Sequence, residues 1–499
     1  MTQLLLRGAP VAVLLHDAAG GSSVVVRSLV AAMGLSAERV EDHARTVAAP
    51  TVGLFGSDHE PVPGCYAWYV GPGTTPQWMH ASRRGAVEVL QLLGTAFAQE
   101  RAGAAFRAAG ADLPTPREVA FDPEVLSGVS RAVRPSAPPI PAPQIRPLHV
   151  DDLLRNSFAA LERCCHTTGA IAAAPRGEPG GPDYWFFWQR DAAAAALALH
   201  GLSEAGPTEL RPAAARLASG YVDHITRLGE QHDLSASRWS MDGSRVSGYG
   251  DPQYDGPAAT VLAVLTIDPQ ALAVARPFVE QLLGPGARTG YDLWELTRGR
   301  SFHAANLRRR ALRLVARLSD GEGAEPELLD FDDGHGGWVH VLDPEPAWFA
   351  RTSRLDVSVL GSALLAYEPG DLDDPRLHRT VERLEEHYRD RWPINASWQA
   401  AGRPGGGIGR FPEDGNDGLG STGGNPWPVA TLWLAQYHLH RGDQATALGY
   451  LDFVVCRDAL AEQIDGDTGA PRGARDLAWT HAELVVTLLA LDPVATGRS

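Results

Sequence analysis

Residues 190–202 read RDAAAAALALHGL, and this stretch decides the class of fold. Its apolar residues recur at helical spacing, without the alternation of a strand. Similar stretches lie on both sides, separated by loops rich in Gly, Pro and Trp, at 151–168, 210–231, 258–267, 269–284, 301–319, 357–367, 375–390, 429–455 and 476–492. About a dozen helices in about 350 residues predict a mainly α fold in which six helical hairpins close into a toroid.

A proline-rich segment precedes the helical region. Residues 131–150 read RAVRPSAPPIPAPQIRPLHV, which favours an extended linker over a helix. Before it, strand-like runs such as VAVLL (11–15) and CYAWYV (65–70) are combined with a helical segment at 81–110. The sequence therefore predicts a smaller N-terminal α+β domain of unassigned role at 1–130, a linker at 131–150 and a helical domain at 151–499.

The composition excludes several classes of function. With 44% hydrophobic and 21% charged residues, the 499-residue chain has the composition of a soluble globular protein. Its net charge of -16 argues against nucleic acid as a partner, whereas a neutral sugar is compatible with it. The chain contains no lysine, so all 44 basic residues are arginine. Schiff-base, pyridoxal-phosphate and P-loop chemistry, which require lysine, are therefore excluded.

No metal or cofactor site is expected. The histidines are scattered and no H-E-x-x-H motif occurs, although oxygen-rich acidic loops leave a structural calcium open. The cysteines lack metal or disulfide spacing and are interpreted as small, mostly core residues. They are Cys65, Cys164, Cys165 and Cys456.

The start of the chain predicts no targeting or membrane segment. Its short apolar run is broken by His16 and Asp17, which makes it a poor signal peptide and too short to span a bilayer. We therefore expect no membrane association and a cytoplasmic location. The oligomeric state stays unassigned.

Five loops between the helices concentrate Trp, Arg, Gly and carboxylates, at 169–196, 237–260, 290–305, 407–433 and 460–479. In the first, Arg190 and Asp191 follow a run of aromatics at a helix start, an arrangement that suits a sugar whose ring faces stack and whose hydroxyls are hydrogen-bonded. The same pair can equally be a helix N-terminal charge and its surface partner. Hydrolysing a glycoside with inversion needs two carboxyl groups roughly 6.5–9.5 Å apart.

At the level of motifs, the helical region resembles glycoside hydrolase family 15, which includes glucoamylases, glucodextranases and isomaltose-releasing glucosidases. The resemblance extends from about residue 148 to the C-terminus, and its motifs occur in the order of the family. They are DYWFFWQRD (183–191), YGDPQYDGPA (249–258), GYDLWE (290–295), GRFPED with GNPW (409–414, 424–427) and AEQIDGDTGAPRGARDLAW (461–479). The resemblance implies an (α/α)6 toroid and an inverting, exo-acting α-glucosidase that needs no cofactor.

Two catalytic residues are implied by the resemblance. Glu295 matches the general acid and Glu462 the general base. Because Glu295 lies between Trp294 and Leu296, an apolar neighbourhood would raise its pKa and keep it protonated. Glu462, followed by Gln463 and expected near Arg475, is predicted to have a more polar setting that favours ionisation. The alternative is that both are ordinary carboxylates at helix ends.

The resemblance also implies a set of substrate-binding residues. Arg190 and Asp191 match a pair that grips hydroxyls of the non-reducing glucose, and Arg410 matches a second sugar-binding arginine. Tyr184 matches a tyrosine that helps seat the attacking water, Trp188 lies in the aromatic wall and the Leu293 carbonyl contacts the sugar. Trp294 is also expected to bind substrate, and Tyr249 falls where fungal relatives carry a tryptophan near the acid.

Departures from the family pattern cluster on the leaving-group side. Leu296 replaces a second carboxylate that many starch-cleaving relatives carry, Tyr249 replaces tryptophan, and Asp251 replaces a common arginine. They predict that glucose recognition is kept, with an α-1,6 link or a small glucoside preferred to starch. Gly473 stands where fungal relatives have a serine bonded to the base, which predicts a higher pKa for Glu462.

Two alternatives stay open at this point. A non-catalytic sugar-binding protein on the same barrel would have no need of both Glu295 and Glu462. A trehalase or a glucosyl-transfer enzyme of a natural-product pathway would keep both carboxylates and change only the leaving group or the acceptor.

Overall fold

The computed structural model describes residues 2–6, 9–13, 148–177, 184–246, 250–319, 331–345, 354–361, 365, 369–412, 414, 424–457 and 459–491. The chain divides into two compact units, of which the second comprises residues 139–416 and 423–499 and contains every described residue beyond 13. In the first unit, strands β1 (Thr2–Leu6) and β2 (Ala9–Val13) pair antiparallel. Most of the predicted N-terminal domain, with Cys65, lies outside the described residues, and its borders stay predictions.

Helices dominate the described part of the second unit. They are α1 (Val150–Cys164), α2 (Gln189–Ala205), α3 (Arg211–Leu228), α4 (Asp255–Ile267), α5 (Leu272–Leu283), α6 (Phe302–Leu318), α7 (Pro375–Tyr388), α8 (Pro393–Ala400), α9 (Pro428–His440), α10 (Gln444–Val455) and α11 (Ala478–Ala490). The predicted mainly α architecture is confirmed. Helix α8 was not predicted, and the predicted stretch at 429–455 is two helices that break at Gly442, whose φ of 75° favours glycine.

The described helices form an inner row and an outer row that packs against it. Helices α2, α4, α9 and α11 are buried along most of their length. Helix α11 packs between α9 and α2, and α4 packs between α2 and α6. Helices α10, α1, α3 and α5 cover α9, α11, α2 and α4 from outside. Each inner helix is thus backed by an outer one, which is how helical hairpins close into a toroid.

Helix α2 shows how the sequence produces an inner helix. It begins after Trp188, carries Asp191 in its first turn, where a negative charge suits the helix dipole, and ends before Gly206. Residues Ala192–Ala196 are all buried, so α2 has no solvent face along this run. Small side chains on every face let α11, α3 and α4 approach it closely.

Short strands shape the loops at the helix ends. Strand β3 (Phe187–Trp188) pairs with β4 (Arg238–Trp239), and β5 (Gly290–Tyr291), β6 (Arg298–Ser301) and β7 (Val341–Leu342) form a three-stranded sheet. Strand β8 (Ala461–Ile464) pairs with β9 (Pro471–Arg475). Strands β3–β9 have two to five residues and are too short to show a period-2 pattern, so the sequence shows almost no signal for them.

The described residues add three further observations. Cys164 is buried, Cys165 and Cys456 are half-buried, and all three are free thiols. None of the described helices is long and apolar enough to cross a bilayer. Within the same residues, no cluster of His, Cys, Asp and Glu is arranged to hold a metal ion.

Candidate active site

The structure brings distant segments together around two glutamates. All the predicted site residues except Tyr249, which lies outside the described residues, have a defined position. The β3–α2 segment supplies an aromatic wall and the first helical turn, the β5–β6 hairpin supplies Glu295, and β8 supplies Glu462. The predicted residues with a defined position are Tyr184, Trp188, Arg190, Asp191, Leu293, Trp294, Glu295, Arg410 and Glu462.

A continuous path of contacts joins the two glutamates. Tyr184 donates its hydroxyl hydrogen to Glu462 Oε1 at 3.1 Å. The Tyr184 and Trp188 rings lie edge to face with centroids 5.7 Å apart. Trp188 in turn donates its indole N–H to Glu295 Oε1 at 3.0 Å. Glu295 and Glu462, 167 residues apart in the sequence (462 − 295), therefore belong to one site.

Glu295 lies at the tip of the β5–β6 hairpin in a tight turn. Its N–H donates to the carbonyl of Asp292 at 2.9 Å, and the Asp292 side chain accepts from the N–H groups of Leu296 and Thr297. Its φ of 60° is in the left-handed region, uncommon for a residue with a side chain. Opposite it, a Cβ on Gly250 would lie 3.0 Å from Glu295 Cγ, so glycine permits the close approach.

Burial sets the protonation state of Glu295. Its side chain is 11% exposed, and this burial raises the pKa of Glu295 to about 7. The Arg190 guanidinium, 3.8 Å from Oε1, and the Trp188 hydrogen bond both oppose the rise, whereas the charge of Asp191 adds to it. Glu295 is therefore largely protonated below neutral pH, as the apolar neighbourhood predicted, and this is the state that a proton donor needs.

Glu462 is buried and hydrogen-bonded. Burial raises its pKa, while the Ala474 N–H, which donates to Oε2 at 3.3 Å, the Tyr184 hydroxyl and the charge of Arg410 oppose the rise. The prediction that a polar setting favours ionisation of Glu462 is thus wrong, because burial changes the pKa more than these groups do. The nearby positive charge is that of Arg410, whereas Arg475 is exposed.

Gly473 determines how closely β9 approaches Glu462. Its φ is 70°, and a Cβ added there would lie 2.2 Å from Glu462 Oε2 and 2.9 Å from Glu462 Cβ. The carboxylate therefore occupies the space that a side chain at position 473 would need. Burial raises the pKa of Glu462 above its ordinary value. The predicted effect of Gly473 in place of the relatives' serine stays a prediction.

At the start of α2, two buried polar atoms have no hydrogen-bond partner among the described residues. Arg190 Nη1 donates to Asp255 at 3.0 Å and to Gln253 at 3.2 Å, which fixes its guanidinium. Within the described part of the chain, neither Arg190 Nε nor Asp191 Oδ2 has a hydrogen-bond partner, although Asp191 Oδ2 lies 3.4 Å from Arg190 Nη2. Buried polar groups are normally satisfied, so these two atoms are candidates for hydrogen bonds to a ligand. The alternative of a surface pair is wrong in its location, since Asp191 is buried and only 10% of the Arg190 side chain is exposed.

Arg410 lies in an aromatic cage on the other side of the site. Its Nε and Nη2 atoms bind both carboxylate oxygens of Asp414, at 2.8 and 2.7 Å. Its guanidinium carbon lies 4.5 Å from the ring centroid of Trp427 and 5.3 Å from that of Trp294. Trp294 is fixed in turn by a hydrogen bond from its indole N–H to Asp356 at 2.9 Å. Planar charge and aromatic faces together suit the faces and hydroxyls of a sugar ring.

Comparison with known proteins decides the family. A family model described as glycosyl hydrolases family 15 matches residues 150–328 and 330–450, more than half of the chain. The chain belongs to glycoside hydrolase family 15. The resemblance found in the motifs is thereby confirmed.

Relatives in the family are glucoamylases. A glucoamylase of Saccharomycopsis fibuligera is 27% identical over 331 residues, which cover 54% of this chain and 62% of the relative. A probable glucoamylase of Schizosaccharomyces pombe is 23% identical over 392 residues, covering 64% of this chain and 83% of the relative. The match to the first of these thus spans less than two thirds of its length.

Solved structures share the fold. The glucoamylase structure from Saccharomycopsis fibuligera has a TM-score of 0.56 and 19% identity, covering 70% of this chain and 96% of that one. A family 15 glucoamylase from Hypocrea jecorina also has a TM-score of 0.56, at 18% identity, covering 70% of this chain and 74% of that one. These structures confirm the predicted (α/α)6 toroid.

Within this family 15 site, several residues had not been singled out from the sequence. Most lie inside the quoted motifs and surround the predicted residues, so the motifs themselves carried the signal. Asp356 lies outside the motifs and left no signal. They are Gln253, Asp255, Asp356, Asp414, Trp427 and Trp479, whose ring centroid lies 5.1 Å from the Arg190 guanidinium carbon.

Two of the departures expected on the leaving-group side, Asp251 and Leu296, have defined partners. Asp251 accepts from the Ser237 N–H at 2.6 Å and pairs with Arg245 at 3.1 Å, so its carboxylate is held by the β4 loop. Leu296 packs half-buried against the core. The Asp251 carboxylate is therefore already paired, and Leu296 is apolar.

Proposed function

We propose that this chain is an inverting, exo-acting α-glucosidase that releases β-glucose from the non-reducing end of an α-glucoside. The observation that carries the proposal is that Glu295 and Glu462 share one buried site, joined through Tyr184 and Trp188. A binding protein needs no such pair, whereas hydrolysis with inversion needs one carboxyl as acid and another as base.

The two carboxyl groups divide the proton transfers. Protonated Glu295 gives its proton to the glycosidic oxygen as the bond to the anomeric carbon breaks. Ionised Glu462 takes a proton from a water that attacks this carbon from the opposite face, so the configuration inverts. Tyr184, which donates to Glu462 Oε1, would hold the base in place and help to seat the water. The products are β-glucose and the free alcohol of the leaving group.

Glucose would bind against α2 and the aromatic cage. Arg190 Nε and Asp191 Oδ2 supply a donor and an acceptor that the described part of the protein leaves without hydrogen bonds, and the buried Trp427 indole N–H is a second such donor. Sugar hydroxyls are both donors and acceptors and would satisfy all three. Arg410 and Trp294 would then face the ring, and the Leu293 carbonyl would accept from a hydroxyl.

The leaving group is proposed to be α-1,6-linked or small. Leu296 offers an apolar surface where a carboxylate would hold a leaving glucose, and Asp251 is engaged by Ser237 and Arg245. We expect a higher kcat/KM on isomaltose than on maltose. A clear preference for maltose would overturn this part and leave the hydrolase proposal intact.

The decisive experiment follows the anomer of the product by NMR over a panel of α-glucosides that includes trehalose. We expect β-glucose at the earliest time points. Replacing Glu295→Gln or Glu462→Gln should lower kcat by at least about 100-fold, since each removes one proton transfer. Glu280→Gln, at an exposed position on α5, is the matched control. Full turnover by either site variant, or α-glucose as the first product, would refute the mechanism.

A further inference from the structure

Glu483 is a buried carboxyl group that the proposed mechanism does not use. It lies on inner helix α11 and is 3% exposed. Leu484, Val485 and Leu488 of the same helix are buried and apolar. Burying a carboxylate is costly unless hydrogen bonds replace its water, and an apolar residue of similar size often stabilises a fold as well or better. Packing alone therefore gives no reason for a glutamate at this position.

Both oxygens of the Glu483 carboxyl group accept hydrogen bonds from buried side chains. Trp479, one turn earlier on α11, donates its indole N–H to Oε1 at 2.9 Å. Gln436 on α9 donates an amide hydrogen to Oε2 at 2.6 Å. Both donors are at most 5% exposed, so water does not compete for these bonds. Glu483 thus ties α11 to α9 and fixes the direction of the Trp479 indole.

The Trp479 ring in turn covers Arg190. Its centroid lies 5.1 Å from the guanidinium carbon of Arg190, a distance at which an aromatic face attracts a cation. The ring of Trp433, on α9, packs against Trp479 with centroids 5.3 Å apart. Trp479 is therefore held at its N–H by Glu483 and on its ring by Trp433, with Arg190 as its third neighbour.

This contact bears on the direction of a free donor on Arg190. Nη1 is held by Asp255 and Gln253, which fixes one edge of the guanidinium. Nε is buried and has no hydrogen-bond partner among the described residues. A planar group held at one edge keeps the freedom to tilt about that edge, and a ring packed over it restrains the tilt. The direction of the Nε–H of Arg190 therefore depends on Trp479.

We propose that Glu483 is a positioning residue for glucose: by holding the Trp479 indole, it keeps the Arg190 guanidinium in the plane from which Nε donates to a sugar hydroxyl. The proposal rests on the proposed function, in which Arg190 binds the non-reducing glucose. Glu483 itself touches no substrate and acts only through Trp479.

The first test compares two replacements of Glu483. Glu483→Leu removes both acceptors at similar volume, and glucose affinity should fall about five- to tenfold, because the charge-assisted bond from Arg190 is no longer aligned. Glu483→Gln should restore most of the affinity, since its amide oxygen still accepts from Trp479. Gln436 Oε1, which has no hydrogen-bond partner in the described part of the chain, can then turn to accept from the new amide.

A double variant tests whether the effect passes through Trp479. Trp479→Phe keeps an aromatic ring and removes the N–H that Glu483 holds. Adding Glu483→Leu to Trp479→Phe should cause no further loss of glucose affinity, because the two residues act as one unit. Leu488→Ala is the control: it removes buried apolar contacts from the same helix and should lower stability without changing glucose affinity.

Titration calorimetry of the full chain with glucose measures affinity without turnover, at a temperature where circular dichroism shows each variant to be folded. The positioning role is overturned if Glu483→Leu binds glucose as tightly as the unaltered protein, if Glu483→Gln loses as much affinity as Glu483→Leu, or if the double variant loses more than Trp479→Phe. A protein that shows the expected pattern of affinities and yet releases no glucose from any α-glucoside would refute the proposed hydrolysis and support the positioning role.

Discussion

At the scale of single residues, hydrogen bonds and nearby charges moderate the rise in pKa that burial causes at each glutamate. Burial alone would raise the pKa of Glu295 further than it does, because the Arg190 charge and the Trp188 indole both favour the ionised carboxylate. Glu295 can thus lose and regain its proton near neutral pH, where a fully apolar cavity would keep it protonated throughout.

Trp188→Phe tests this balance. The variant keeps an aromatic ring and removes the N–H that stabilises ionised Glu295, so the pKa should rise above about 7. Glu295 then stays protonated to higher pH, and the basic limb of the kcat/KM profile should move up by about one pH unit.

Trp185→Phe is the control for that experiment. Trp185 belongs to the same aromatic run, and its ring contacts His166 and Arg176. Its replacement should leave the basic limb in place. A basic limb that moves down in Trp188→Phe, or equally in both variants, would contradict the proposed role of the indole.

Gly473→Ala tests the space around the base. The new Cβ would meet Glu462 Oε2, so Glu462 must move, and kcat/KM should fall more than about tenfold, since small displacements of catalytic groups are costly. Gly469→Ala, on the same β8–β9 hairpin, carries the same left-handed strain with a φ of 77°, but its close contact is with the end of the Arg457 side chain, and Ile394 lies at an ordinary 3.7 Å. Equal losses of activity in both variants would assign the effect to strain.

The sequence predicted the residues of the site better than their partners. Glu295, Glu462 and Arg190 stand in ordered motifs, so a one-dimensional pattern could identify them. The partner of Glu462 was predicted to be Arg475, which is near in sequence, whereas the structure brings Arg410 from another loop. Side-chain direction on a two-stranded hairpin, which a bulge between Ala461 and Gln463 alters here, cannot be read from sequence distance.

At the scale of elements, inner and outer helices differ in how much they contribute to stability. Leu262 on inner helix α4 is 2% exposed, whereas Leu283 at the end of outer helix α5 is 59% exposed. Leu262→Ala should lower the free energy of unfolding by about 2–5 kcal/mol. Leu283→Ala should change it by less than about 0.5 kcal/mol. Denaturant titration measures both, and similar losses would contradict the assignment of α4 to the inner row.

Helices could be predicted from periodicity, whereas the hairpins that carry Glu295 and Glu462 could not. Helix α7 matches its predicted stretch closely, at Pro375–Tyr388 against 375–390. Strands β5 and β8 have two and four residues, and β8 is buried on both faces, so neither shows alternation. Their pairing depends on partner segments that only the assembled fold brings near.

At the scale of the whole molecule, the buried carboxyl groups should lower stability at high pH. Folding raises the pKa of Glu295 from 4.5 to about 7, so its contribution to stability is full below about pH 4.5 and is lost as the pH rises through 7. A neutral Glu295→Gln should avoid this loss. We therefore expect it to be more stable than the unaltered protein at pH 8, by roughly 3 kcal/mol, and equally stable near pH 4.

The measurement is the unfolding free energy of both proteins across this pH range. The exposed variant Glu280→Gln should follow the unaltered protein throughout. A Glu295→Gln variant that is less stable than the unaltered protein at pH 8 would show that the carboxylate supports the fold there, against the sign derived from burial.

The toroid as a whole could be predicted because the same pattern repeats in the sequence. Similar helices recur along more than 300 residues, from 150 to 490. The succession of inner helices α9, α11, α2 and α4 could not, since it joins the end of the chain to the start of the helical region through the packing of α11 on α2. Ring closure of this kind leaves no local sequence signal.

The run Ala192–Ala196 sets a limit on how this protein could diversify. Every one of these methyl groups is buried among neighbours, so lengthening any of them would push apart the helices around α2 and widen the ring that surrounds the ligand. New specificities are therefore easier to acquire in the loops, where insertions leave that spacing alone. Natural variants with altered substrates should differ in the loops and keep the five alanines of α2.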